Sequence, residues 1–342
     1  MIKKVRTRSP LRLGLAGGGT DISPFCEQHT GYILNATIDK YVYCTLELNT
    51  SGIIEFYSAD LDQYSEFSVG QSLLLSGYMD LYKAIHNRMV NDYELELKGL
   101  NLFTFSEAPM GSGLGGSSTL IVSIIKAYCE CFCLSLGVYE IARLAYSIER
   151  VDLGWSGGKQ DQYAATFGGF NFMEFSDHGH VVVNPLDLKN WVVNELQASS
   201  FIGFSGISRE SGHVIDDQSK AVTSNSQVAL NSLHQLKQDA LEMKSALIQG
   251  DINSISYILN KSWEAKKLTS KSVTNSKIDE IINFAKENGA LACKVSGAGG
   301  GGFIYFISEP TKKFQLMKKL DDMNVKTCNF HFSPRGTQAW TL

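Results

Sequence analysis

Apolar and polar positions follow two periods along the chain, and the period switches repeatedly. Leu11, Leu13 and Leu15 occupy every second position before the run stops at Gly17-Gly18-Gly19, which predicts a strand ended by a glycine turn. Residues 32–48, rich in Tyr, Val, Ile and Thr, read as one or two strands with a bend between Asn35 and Lys40. Tyr78, Leu81, Tyr82 and Ile85 stand at helical spacing and predict a helix over 76–90, and residues 94–105 return to alternation. The apolar run from Leu120 to Leu136 predicts a buried helix. Val138, Ile141, Leu144, Ala145 and Ile148 predict a second one by their i, i+3, i+4 spacing. Phe170 to Phe175 and Val181 to Val183 flank Ser176-Asp177-His178-Gly179-His180, the pattern of a hairpin.

The second half carries a different pattern. Asn194 to Ser200 is the predicted domain junction, although no Pro/Gly-rich linker marks it. Residues 212–268 are helical and more polar, and 276–288 predict a further helix. Then follow a strand (Leu291 to Val295), a loop (Ser296 to Gly302), a strand (Phe303 to Ile307), a helix (311–323) and a strand (325–332). That succession is a split βαβ layout of the ferredoxin-like kind. The class is α+β, with two domains expected at 1–195 and 196–342, because a chain of 342 residues exceeds what one core usually serves.

Composition narrows the function. With 44% hydrophobic and 19% charged residues and a net charge of −4, the chain has ordinary globular chemistry. No long basic run invites nucleic acid or an acidic membrane surface. The basic N-terminus, Met1 to Pro10, leads into no apolar h-region, so no signal peptide is expected. No apolar stretch reaches the roughly 18 residues of a membrane span. Seven cysteines, an odd number in a long chain, read as reduced thiols in a cytoplasmic protein.

The densest chemical signal is Pro109-Met-Gly-Ser-Gly-Leu-Gly-Gly-Ser-Ser-Thr119. Gly111, Gly113 and Gly116 match G-x-G-x-x-G, the dinucleotide-binding turn, but three details oppose that reading. Pro109 and Met110 lengthen the turn, an earlier strand opens the chain, and no acidic residue closes a following strand about 20 positions on. The pattern of a P-loop nucleotidase is absent as well. What remains is a loop whose successive N–H groups converge on an oxyanion at the positive end of a helix, with Ser117, Ser118 and Thr119 offering hydroxyls. A mere strand-to-helix turn with capping serines explains so many glycines and hydroxyls less well. Cys129, Cys131 and Cys133 lie in an apolar helix and read as small hydrophobes rather than metal ligands. His178 and His180 lack a third ligand for zinc.

Two further stretches complete a set. Ser9-Pro-Leu-Arg-Leu-Gly-Leu-Ala-Gly-Gly-Gly-Thr-Asp21, the central loop and Lys294-Val-Ser-Gly-Ala-Gly-Gly-Gly-Gly-Phe303 resemble, in order and spacing, the three motifs of the GHMP kinases (galactokinase, homoserine kinase, mevalonate kinase, phosphomevalonate kinase). Gly116 stands where that family usually has Ser, and Thr119 where it has Ala. The wording of the first motif, with Asn35 to Asp39, Gly157 to Ala165 and Phe167 to Asn171, is most similar to the branch that phosphorylates heptose 7-phosphate. The resemblance implies ATP and Mg²⁺ as cofactors and a sugar phosphate as acceptor. Transfer to the anomeric hydroxyl would give a 1,7-bisphosphate on the way to GDP-heptose. It also implies a two-domain GHMP kinase fold, with an N-terminal domain like domain 2 of ribosomal protein S5 and a ferredoxin-like C-terminal domain. A homodimer is left open.

The same resemblance assigns roles. Asp161 matches the catalytic aspartate, and Arg12 the arginine beside it. The stretch Pro109, Gly111, Ser112, Gly113, Leu114, Gly115, Gly116, Ser117, Ser118 and Thr119 would bind ATP, and Ser118 with Glu149 would hold Mg²⁺. Gly18, Gly19, Thr20 and Asp21 would meet sugar hydroxyls, and Gly299 and Gly300 of the third motif would line the substrate cleft. Lys159 and Arg209 are the candidate cations for the 7-phosphate. Other readings are an L-fucose or galactose kinase, an ATP-dependent decarboxylase, or a non-catalytic sensor. Galactokinases carry Glu-His at the places of Gly18 and Gly19, which weighs against galactose. Retention of Arg12, Ser118, Glu149 and Asp161 together weighs against the sensor.

Overall fold

The computed structural model describes residues 3–208, 212–224 and 226–342. Strands β1 (Lys4–Ala16), β2 (Gly31–Leu48), β3 (Ile53–Ser58), β4 (Gln63–Ser68), β5 (Leu100–Ser106), β6 (Phe170–Phe175) and β7 (Val181–Leu186) belong to one sheet. Its order runs β1-β2-β5-β3-β4, while β6 pairs with β2 and β7 with β6. The segment expected as one or two strands is a single long β2. Its first part faces β6, its second part faces β5, and β1 runs along both. The predicted bend is a bulge: Pro10 opposes Tyr41 while Leu11 opposes Ile38, so Asp39 and Lys40 fall out of the ladder. Such a bulge re-aims the strand beyond it, and Arg12 lies just there. The alternation over 94–105 becomes strand only from Leu100. The β3–β4 hairpin has no counterpart in the sequence expectations, because no residue of β4 is buried and its apolar alternation is faint.

The buried helix spans Gly116–Phe132 rather than Leu120 to Leu136, because it begins inside the glycine motif and stops where Cys133 turns left-handed. It packs on β1 and β2. The expected second helix, Val138–Ser147, ends in a single π-helical turn, Ile148–Asp152, and Gln160–Phe167 follows.

The helix Asn190–Ser199 occupies the predicted junction and leads directly into the second sheet. That sheet contains β8 (Ser200–Phe204), β9 (Ala290–Val295), β10 (Phe303–Ser308) and β11 (Lys326–Cys328), in the order β11-β8-β10-β9 with antiparallel neighbours. The helices between β8 and β9 and the helix Pro310–Asp322 between β10 and β11 complete the ferredoxin-like connection expected from the pattern. The strand expected over 325–332 is confined to β11. Phe330 and Phe332 instead join the large core cluster that draws residues from both sheets. Strand β12 (Gln338–Thr341) then pairs antiparallel with β1, so the end of the chain returns to the first sheet. Among the described residues, no helix is long and apolar enough to cross a membrane.

Candidate active site

The three motifs meet around one cavity of about 770 Å³, lined by Arg12, Asp21, Gly115, Ser118, Glu149 and Asp161 among others. Arg12 is the joint between them. Its guanidinium is almost fully buried and grips Asp161 as a fork, with Nε to Oδ1 and Nη2 to Oδ2 both at 2.7 Å. Nη1 donates to the Gly113 carbonyl of the central motif and to Ser296 Oγ of the third, at 2.5 and 3.4 Å. Bidentate pairs of this kind fix orientation as well as charge. The central and third loops also touch directly. Gly113 has φ +79°, and a Cβ there would lie 2.5 Å from the Ser296 carbonyl oxygen, so glycine is required by both conformation and space.

Asp161 is the second residue of the helix Gln160–Phe167, and Asp21 holds that helix by its start. Asp21 Oδ2 accepts the N–H groups of Lys159 at 2.7 Å and Gln160 at 3.0 Å. The close approach needs Gly158, where a Cβ would stand 2.0 Å from the same oxygen. Burial raises the Asp21 pKa. The Gln160 N–H opposes this, the neighbouring Asp161 charge adds to the rise, and the net shift is upward. Asp21 is thus a cap as well as a wall of the cavity.

Glu149 projects inward from the π-helical turn, a local feature often found at functional sites. Its carboxylate accepts Ser117 Oγ at 3.0 Å, Ser118 Oγ at 2.6 Å and Gln162 Nε2 at 2.6 Å. Arg150 Nη2 lies 3.4 Å away. A hydroxyl and a carboxylate meeting at the glycine loop form the sparse hard-oxygen set that suits Mg²⁺, which takes one or two protein groups beside phosphate oxygens. Among the described residues no cluster of three or more His, Cys, Asp or Glu could hold a metal by itself.

Several expected site residues stand elsewhere. Thr20 is fully buried and donates to the Gly17 and Tyr32 carbonyls, both at 2.9 Å. It shapes the first-motif loop and does not face a sugar. Lys159 is turned away from the cavity, pairing with Glu27 at 2.8 Å. Burial alone would lower its pKa, but the Glu27 bond, with Cys26 and Tyr146 nearby, outweighs that and the net shift is upward. Leu114 is core, and the Thr119 hydroxyl bonds back to the Gly115 carbonyl at 2.8 Å. Gly19, Gly297, Gly299 and Gly301 line the cavity, whereas Pro109, Gly18 and Gly300 are not among its lining residues, Gly18 adjoining it through Lys266. Arg209 lies outside the described residues.

The sequence reading missed Gln162, Arg150, Ser296 and Lys266. Gln162 and Ser296 lie inside quoted stretches and could have been found from them. Arg150 follows Glu149 directly, and its guanidinium donates to the Trp155 and Gly158 carbonyls at 3.1 and 3.3 Å, bracing the loop before Asp161. Lys266 stands in a polar helix with no motif around it.

Residues 75–169 match the model of the GHMP kinases N terminal domain, and residues 243–325 that of the GHMP kinases C terminal domain. A D-glycero-alpha-D-manno-heptose 7-phosphate kinase from Campylobacter jejuni is 47% identical over 341 residues, covering 100% of both chains. The crystal structure of a D-glycero-D-manno-heptose 1-phosphate kinase from Bacteriodes thetaiotaomicron superposes with a TM-score of 0.85 at 42% identity, over 99% of each chain. A putative sugar kinase from Campylobacter jejuni does so with a TM-score of 0.82 at 45% identity, over 100% of this chain and 99% of the other. With both domain models matched in order and a relative nearly half identical along its whole length, the chain belongs to the GHMP kinase family.

Proposed function

We propose that the protein transfers the γ-phosphoryl group of ATP to the anomeric C1 hydroxyl of D-glycero-D-manno-heptose 7-phosphate, giving the 1,7-bisphosphate and ADP. The observation that carries this reading is the Arg12–Asp161 fork on the wall of a cavity that also holds the glycine loop. It occurs in a chain 47% identical throughout to a heptose 7-phosphate kinase. The glycine loop and the start of Gly116–Phe132 cradle the triphosphate through backbone N–H groups. Asp161 accepts the C1 hydroxyl proton. The freed oxygen attacks the γ-phosphorus, and the bond to the β-phosphate oxygen breaks to release ADP. Arg12 holds the carboxylate in place and balances negative charge around the transferred group. Ser118 and Glu149 would hold Mg²⁺, which neutralises charge on the phosphates when bound. All seven cysteines are free, which fits a reducing cytoplasm.

The test is turnover. Purified protein with ATP, Mg²⁺ and heptose 7-phosphate should release ADP and form a new phosphate whose phosphorus couples to the anomeric proton in NMR. Turnover of galactose or L-fucose with none of heptose 7-phosphate would overturn the acceptor. Carbon dioxide release would indicate a decarboxylase instead, and ATP binding without ADP release a sensor.

A further inference from the structure

Lys266 ends the helix Ile252–Lys267 one residue short of its last position. It is 2% exposed and lines the cavity. An ammonium has three donors, and among the described residues this one uses a single donor, to the Gly297 carbonyl at 2.6 Å. Asp21 and Asp161 act on it through space only, without a hydrogen bond. Burial first and the Arg12 charge second lower its pKa, the two carboxylates oppose, and the net value is about 8. A buried cation without a bonded carboxylate is costly unless a partner arrives, and among the described residues two of its N–H groups remain for one.

The space in front of it is kept by missing side chains. A Cβ on Gly18 would stand 3.2 Å from Lys266 Nζ. A Cβ on Gly19 would stand 3.6 Å from Gln218 Oε1 and 3.7 Å from its Nε2. Gln218 is itself buried and lines the cavity. Its Nε2 spends one hydrogen on Thr269 Oγ1 at 2.7 Å, which leaves the other.

We propose that Lys266, with Gln218 and the gap left by Gly18 and Gly19, is the subsite for the phosphate already carried by the sugar acceptor, and that it makes the enzyme select a phosphorylated acceptor. The proposal rests on the acceptor reading given under Proposed function. It replaces Lys159, whose ammonium is committed to Glu27. The two ammonium donors without a partner among the described residues supply charge-assisted bonds, and the glycines admit phosphate oxygens where side chains would exclude them.

The experiment compares heptose 7-phosphate with the same heptose lacking its phosphate, in wild type and Lys266→Met. The ratio of kcat/KM for the two acceptors should fall on the order of 100-fold in the variant, as expected for losing bonds to a charged group, while the KM for ATP stays unchanged. Gly18→Asp, which leaves Lys266 in place but sets a carboxylate before it, should lower the same ratio. It serves as the test if Lys266→Met does not fold. If wild type does not turn over heptose 7-phosphate, the acceptor reading falls and the subsite with it. If wild type does and the ratio stays constant in both variants, or both acceptors suffer equally, the subsite alone is overturned.

Discussion

Arg12 and Asp161 are 149 positions apart in the chain, yet their side chains form two bonds of 2.7 Å. Nothing in their local patterns brings them together; a lone Arg on a strand and a lone Asp opening a helix are ordinarily surface residues. Asp161→Asn keeps the shape and removes the proton acceptor. Its kcat should drop by roughly 10²–10⁴, with ATP affinity by calorimetry nearly unchanged; a near-normal kcat would discard the proposed step. A second residue couples the fold to pH. His86 is buried, with Nδ1 2.8 Å from the Tyr128 hydroxyl, and burial lowers its pKa from 6.5 to about 4. The unfolded chain therefore binds this proton more readily. Stability from the neutral ring is complete above pH 6.5 and is lost as pH falls toward 4, about 3 kcal/mol in all. Melting temperatures at pH 7.5 and 5 should differ more for wild type than for His86→Gln, and parallel changes in the two would show another group to be responsible.

At the scale of elements, the decisive pieces are helix starts. Gly116–Phe132 begins in the glycine loop, and Gln160–Phe167 begins on Asp21. Periodicity found the helix of the Val138–Ile148 pattern but not the π-helical turn that ends it, because one extra residue per turn leaves no trace in apolar spacing. That turn is what points Glu149 at Ser118. The Asp21 cap has a measurable consequence. Asp21→Ala should lower stability by about 0.5–2 kcal/mol and reduce kcat by loosening the helix that carries Asp161. Asp21→Asn should recover the melting temperature, since an amide oxygen also caps. If thermal melts of the two variants show equal losses, the cap is not what Asp21 supplies to stability.

Across the whole molecule, the end of the chain supports its beginning. Strand β12 makes four register pairs with β1, from Val5 opposite Thr341 to Arg8 opposite Gln338. It thereby covers the edge of the strand that carries Arg12. Removing residues 338–342 should cost roughly 1–3 kcal/mol in cross-strand pairs and expose β1 as an unpaired edge prone to association. Denaturant titration and light scattering would check both, and an unchanged midpoint would show that β12 is dispensable. Alternation cannot reveal such a return, because four residues with no buried position have no hydrophobic signature.

Pattern and motif together determined the class, the ferredoxin-like second half and the three loops. These depend on local rules: period 2 or 3.6 for the elements, and glycine wherever backbone must approach phosphate or another loop. The three loops also carried the kinase reading, because their order along the chain is itself sequence information. Only the tertiary structure decided which charges belong to the site. Lys159 lies two residues from Asp161 but faces Glu27, whereas Lys266, 105 positions beyond Asp161 by its number, faces the cavity. Helix rotation and packing set where a side chain ends, and a buried ammonium is placed by its desolvation and its few partners rather than by its neighbours in the chain.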